Sequence, residues 1–177
     1  MLNKSLFLLF SSAVLVFAQN LSFQQGSVMA HTEVFGESNI NPKTTFLHSK
    51  LTMDSGVESI KGDLVLDLAS LKSDNEKRDE HMYETLKVKA HPSTSFKIQA
   101  ITKEADGYHI AGMLTLNQKP QEINTKADIS EKDGLISLKG DFQIKLTDFG
   151  LEPPTMLFLT VRDLIDIHYD VTFKTEK

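Results

Sequence analysis

The sequence predicts an all-β protein: about eight antiparallel strands in up-and-down order, closed into a barrel, with one short helix on the outside. Three observations carry this. Apolar and polar residues alternate with period two through most of the chain after residue 18. Asp106-Gly107 and Asp133-Gly134 sit between alternating segments, and such pairs tolerate the positive φ angles of tight hairpins. One segment, beginning at Ser73-Asp74-Asn75-Glu76, departs from the alternation and opens like a helix. Closure into a barrel removes the exposed edges that an open sheet would leave.

Met1–Ala18 reads as a secretory signal rather than as part of the fold. Lys4 and the amino terminus supply the positive start, Leu6–Phe17 the apolar run, and Val16-Phe17-Ala18 a cleavage site. The run is shorter than the roughly 20 residues that a bilayer span needs. Residues 19–177 are then one exported domain. The 40% apolar composition of the whole chain is inflated by this leader, and removal of Lys4 makes the mature charge one unit more negative than −5.

The clearest strands follow. In Ile60–Leu68 the even positions Ile60, Gly62, Leu64, Leu66 and Leu68 are apolar or small, with Lys61, Asp63 and Asp67 between them. In Ile136–Leu146 the set Ile136, Leu138, Phe142, Ile144 and Leu146 faces one way, with Lys139, Asp141, Gln143 and Lys145 opposite. Near the end Ile165, Ile167, Tyr169, Val171 and Phe173 alternate with Asp166, His168, Asp170 and Thr172. Each pattern puts one face in a core and the other in water. Weaker candidates lie at Ser27–Phe35, Thr45–Met53, Thr94–Lys103, Tyr108–Asn117 and Glu122–Ser130. The helix is expected from Glu76 to Leu86, with Ser73 as its cap and Glu76 reaching back. Its few apolar residues, Met82, Tyr83 and Leu86, place it on the barrel rather than in it. Pro92 returns the chain to an extended path, and Pro153-Pro154 predicts a loop before the last strand.

Composition excludes several kinds of chemistry. The chain has no cysteine, so thiol nucleophiles, thiolate metal sites and disulfides are out. Its acidity is wrong for binding nucleic acid, where affinity comes from Lys and Arg on phosphates. The histidines His31, His48, His81, His91, His109 and His168 show no HxH or HxxxH pair, so scattered surface histidines are expected and no metal site. No GxSxG elbow and no glycine-rich phosphate loop occurs.

Two features stay open on the residues alone. Arg78-Asp79-Glu80-His81 could present an Arg fork and an imidazole to a ligand, or be a solvated helix face with an Arg–Asp pair. Gly62, Gly112 and Gly140, inside otherwise bulky strands, either leave room in a barrel or mark bends.

The ordered motifs resemble a known family. Arg78-Asp79-Glu80-His81-Met82, Pro92-Ser93-Thr94-Ser95-Phe96, Gly112-Met113-Leu114-Thr115-Leu116 with Lys119-Pro120, Asp148-Phe149-Gly150 and the alternating final strand together resemble the YceI family of bacterial polyisoprenoid-binding proteins. The resemblance implies an eight-stranded antiparallel lipocalin-like barrel with a helix on it. It further implies a periplasmic protein that holds a long isoprenoid lipid, of quinone or polyprenyl type, in an apolar tunnel. There are departures. Thr85-Leu86 stands where an aromatic pair is common, and Asn117-Gln118 makes a shorter turn without glycine. Leu146 occupies the place of a common basic residue, and Gly26–Pro42 differs from the usual opening strand.

The expectation is therefore a non-enzymatic carrier or reservoir. Arg78 and His81 are expected at the mouth, and Leu64, Leu66, Phe96, Leu114, Phe142, Ile144, Phe149 and Tyr169 along the lipid. No cofactor is expected besides that isoprenoid quinone or polyprenyl lipid, and no nucleic acid or stable membrane anchor; a homodimer is left open. Two other readings compete. One is a filled structural barrel that binds a protein partner through its acidic surface. The other is an enzyme acting on a hydrophobic substrate through His81 and a neighbouring carboxylate.

Overall fold

The computed structural model describes residues 18–34, 37–156 and 159–176. Apart from Ala18, the expected signal segment lies outside them, as does Phe35 at the end of the first strand candidate. Eight strands form the barrel: β1 (Gln19–Val34), β2 (His48–Met53), β3 (Lys61–Asp67), β4 (Ser93–Glu104), β5 (Gly107–Leu116), β6 (Lys119–Lys132), β7 (Leu135–Lys145) and β8 (Leu164–Glu176). Each pairs antiparallel with its chain neighbour, and β8 returns to pair with β1 from Asn20↔Glu176 to His31↔Asp166, which closes the sheet. Short strands Glu37–Ile40 and Lys43–Thr44 fold back on β1, and Thr155–Met156 pairs with Leu159–Thr160.

The turns follow the side-chain chemistry. Asp133 and Gly134 take φ of 55° and 75°, the left-handed pair that joins twisted strands. Asn117 and Gln118 take 49° and 61° without a glycine. The Asn117 amide repays part of that strain by donating to the Phe149 carbonyl at 2.9 Å.

Two bulges reset which residues point inward. In β1 the register slips between Phe23 and Gln25. Leu21 and Phe23 pack inward before the slip, and Val28 and Ala30 after it, so the inward set passes from odd to even numbers. In β4 a slip between Ile98 and Ala100 moves the inward set from Phe96 and Ile98 to Ile101. A bulge inserts one unpaired residue, and with a side-chain period of two that single residue flips the face.

The interior divides into two clusters. At the β4–β5 turn end, Ile60, Ile136 and Phe173 are fully buried among Leu21, Leu51, Ile98, Ile101 and Leu138. Phe173 meets Phe23 edge to face with centroids 6.1 Å apart. Complete burial of such a side chain is worth about 1.5–3 kcal/mol. At the other end Leu66, Leu68, Leu71, Leu114, Leu116, Leu146 and Phe149 form a second cluster around an open interior.

Helix α1 (Glu76–Thr85) lies across that second end, outside the barrel. Its cap is Asn75, not Ser73: the Asn75 carboxamide oxygen accepts from the Arg78 amide at 3.1 Å. Ser73 is committed elsewhere. Its amide donates to the buried Asp79 carboxylate at 2.8 Å and its hydroxyl accepts from the Asn75 amide at 3.1 Å. Tyr83 fastens the helix further, its hydroxyl lying 2.6 Å from the Leu71 carbonyl and 3.0 Å from that of Ala69.

Candidate functional site

Between the two clusters lies a cavity of about 740 Å³ that opens beneath α1, within the size range of small-molecule and lipid sites. Its wall is built by the inward alternation of five strands: Leu64 and Leu66 from β3, Phe96 from β4, Leu114 from β5, Phe142 and Ile144 from β7, Ile167 and Tyr169 from β8. The floor is Ile98, Ile110, Thr125, Leu138 and Val171, where the cavity meets the filled end. The rim carries the polar groups, among them Ser73, Asn75, Lys77, Arg78 and His81 of α1 and its approach. Pro42, Pro154 and Val161 complete it from the loops.

The two glycines in question make room. A Cβ on Gly112 would lie 2.4 Å from the tip of the Phe96 ring, and one on Gly140 would lie 2.4 Å from the Tyr169 hydroxyl. Each aromatic ring therefore lies against the wall in the space that a side chain would fill, and the centre stays open. Phe142 links the two rings, with centroids 6.4 Å from Phe96 and 6.3 Å from Tyr169. Gly62 answers to the other reading: its φ of 121° brings it against the Lys50 carbonyl, where a Cβ would sit at 2.1 Å.

Tyr169 carries the one orphaned side-chain polar atom found among the described residues. Its hydroxyl is buried without a hydrogen-bond partner. Thr125 stands beside it but aims its own hydroxyl at the Asp141 carbonyl, 2.7 Å away. Burial pushes the Tyr169 phenol up to about 12, because removal from water disfavours the charged form.

The residues expected at the site come together in large part. Leu64, Leu66, Phe96, Leu114, Phe142, Ile144 and Tyr169 line the wall, and Arg78 and His81 the rim. Arg78 also forms an i,i+4 pair with Asp74, Nη1 to Oδ1 at 2.8 Å. Phe149 is the exception. It sits 1% exposed in the short 3-10 turn Leu146–Phe149, packed into the second cluster and absent from the cavity lining. Its expected place rested on a motif rather than on alternation, and the turn's geometry sends the ring into the core. Missed lining residues include Val28 and Ala30, which alternate within the strand candidate Ser27–Phe35, and Thr125. Ile98, Ile110 and Leu138 share the parity of named wall residues on their own strands and could have been found by it.

The histidines are dispersed over the fold, and three of them stand beside carboxylates: His31 by Glu33, His168 by Asp141, and His109 by two. At the β4–β5 turn, His109 Nε2 lies 3.1 Å from Asp106 and 3.7 Å from Glu104. Lys126 already neutralises Asp106 at 3.2 Å. Among the described residues no helix is long and apolar enough to cross a membrane.

Known proteins share this architecture. Residues 19–173 match the model of the YceI-like domain. Two curated relatives, both UPF0312 proteins, match over 99 residues: one from Pectobacterium atrosepticum at 31% identity and one from Pectobacterium carotovorum at 30%. Each alignment covers 51% of this chain and 52% of the relative, so the chain spans about half the length of the curated relatives it matches. Three solved structures share the fold. BcnA of Burkholderia cenocepacia is 16% identical with a TM-score of 0.72, over 83% of this chain and 95% of that one. A polyisoprenoid binding domain from Saccharophagus degradans is 12% identical with a TM-score of 0.68, over 91% and 99%. A YceI protein of Campylobacter jejuni is 22% identical with a TM-score of 0.65, over 99% of both chains.

Proposed function

This chain belongs to the YceI-like domain family, and from that premise we propose that it is an exported carrier or reservoir that holds an isoprenoid lipid in its barrel. The observation that carries the proposal is the cavity of about 740 Å³, mostly apolar on wall and floor, with the Thr125 and Tyr169 hydroxyls among the exceptions, and polar at the rim. A filled barrel would offer no such space. The polyisoprenoid binding domain that shares the fold supports the same class of ligand, as does the resemblance in the α1 and strand motifs.

Energetics favours exchange over permanent capture. Each CH₂ removed from water is worth about 0.8 kcal/mol, and a long chain counted that way overshoots the roughly 20 kcal/mol ceiling of non-covalent binding. The relevant reference is the bilayer, where the chain is already buried. Net transfer is then small, and selectivity falls to shape and to the rim. Arg78 and His81 are the proposed contacts for the polar part of the lipid left at the mouth. The role is binding rather than catalysis. His81→Ala should weaken retention of lipid and leave no chemical step to lose.

Export rests on the leader. We assign cleavage near Ala18 and a periplasmic location, checked by amino-terminal sequencing of protein recovered from the periplasmic fraction. For the ligand, the mature protein is extracted with organic solvent and the extract read by mass spectrometry, followed by uptake of a quinone and of a polyprenol. Isoprenoid in the extract and saturable uptake are expected. An extract free of lipid, with no uptake of either compound, would overturn the proposal.

A further inference from the structure

We infer that the turn carrying Phe46 is the protein's docking point on a phospholipid bilayer. The inference rests on the lipid-carrying reading and says where cargo crosses between membrane and barrel.

Phe46 is 72% exposed, against 41% for Leu135, the other large apolar side chain found exposed among the described residues. Exposure of that degree costs free energy in water, because a Phe ring seeks burial. Local disorder does not explain it, because the turn is held. The Phe46 amide donates to the Thr44 hydroxyl at 3.0 Å, and the Ser70 hydroxyl donates to the same oxygen at 2.8 Å. Thr44 itself is buried. The ring is therefore presented outward by a fixed support.

The position of the turn is the second observation. Pro42 before it and Leu47 after it both line the cavity. Phe46 thus stands on the rim, one residue from the cavity wall. The third observation is charge. Lys43 pairs through its backbone with Lys72, at 2.9 Å in both directions, so two exposed lysines stand beside the turn, and Lys72 rests its ammonium 5.0 Å from the centre of the Tyr83 ring of α1. Lysines flanking an exposed aromatic suit the phosphate level of a bilayer, with the ring entering the acyl boundary below. The acidic chain as a whole is repelled by anionic lipid, so an apolar anchor with two local cations makes the contact brief and the exchange reversible.

The chain has no tryptophan, so Phe46→Trp installs a single reporter. With vesicles of phosphatidylethanolamine and phosphatidylglycerol, its emission should shift to the blue and be quenched by lipids brominated on their acyl chains. Phe46→Ser should weaken vesicle association of the mature protein roughly tenfold, the equivalent of losing one buried aromatic side chain. It should slow uptake of a polyprenol from those vesicles to a similar degree, while uptake of the same polyprenol from cyclodextrin and the melting temperature stay unchanged. A reporter unshifted and unquenched by vesicles, or uptake from vesicles by Phe46→Ser as fast as that of the wild type, overturns the inference. If the wild-type protein takes up no polyprenol from either source, the carrier reading falls, and the reporter still decides whether this turn meets the membrane.

Discussion

Substitution of Gly112 by alanine tests whether the cavity is kept open by a ring lying in a glycine's empty place. The new Cβ would stand 2.4 Å from Phe96 Cζ, 2.9 Å from its Cε1 and 2.7 Å from the Lys97 carbonyl oxygen. Carbon contacts settle near 3.5–4.0 Å, so the ring must withdraw by about 1 Å. It can withdraw into the cavity, where it presses toward Phe142. Overpacking of this kind costs about 1–3 kcal/mol, and replacing a strand glycine returns about 0.5–1 kcal/mol. The net loss is about 1–2 kcal/mol, or roughly 3–6 °C in melting temperature for a domain of this size. The assay is thermal and urea denaturation of four proteins: wild type, Gly112→Ala, Phe96→Ala and the double variant. With the ring gone, only the Lys97 carbonyl remains to resist the methyl, so the cost of Gly112→Ala should fall by about 1 kcal/mol in the Phe96→Ala background. An equal cost in both backgrounds would refute the reasoning, since the backbone contact would then account for all of it.

Other substitutions probe the remaining parts. Tyr169→Phe should stabilise the protein by about 1 kcal/mol in chemical denaturation, because it removes a buried hydroxyl that has no partner. Burial also raises the same phenol to about 12 in the fold, so up to its ordinary value near 10 the folded and unfolded chains are both un-ionised there and the fold bears no ionisation penalty. The unfolded chain ionises first as pH climbs from about 10 to 12, so wild-type stability should decline over this range more steeply than that of Tyr169→Phe. Asp79→Ala leaves the Ser73 amide unpaired beneath α1 and should cost about 1–3 kcal/mol, with faster amide exchange in the helix and faster release of bound lipid. Phe149→Ala should cost about 3–5 kcal/mol in denaturation, since the ring is fully buried in the second cluster, without changing which lipids are taken up.

Much of the architecture was legible because a strand's period is two and most strands here keep it. The runs Ile60–Leu68, Ile136–Leu146 and Ile165–Phe173 read correctly from alternation alone, and so did the side of each that faces the cavity. Where alternation broke, reading failed for a definite reason. The alternation that starts at Ser27 covers only the later part of β1, which begins at Gln19, because the bulge at Gln24 changes the parity of its inward residues. The helix starts at Glu76 as its sequence predicts, but Ser73, Asp74 and Asn75 are all good caps. The choice among them depended on Asp79, whose carboxylate takes the Ser73 amide across the turn. The wall residues of the site followed from strand parity, whereas the position of Phe149 depended on how a 3-10 turn aims its last side chain. The orphaned Tyr169 hydroxyl had no signature at all, since partnership is a property of three dimensions.

The unequal filling of the barrel has a kinetic consequence. Every long strand runs from a close-packed end into a hollow one, so a single strand holds both the most and the least protected backbone in the molecule. On β7 the amides around Ile136 and Leu138 should exchange with solvent only through global unfolding, and those around Phe142 and Lys145 through local fraying near α1. Breathing at the mouth is thereby uncoupled from the survival of the fold. If the barrel carries lipid as proposed, that lipid could pass the mouth while the packed end holds all eight strands in register.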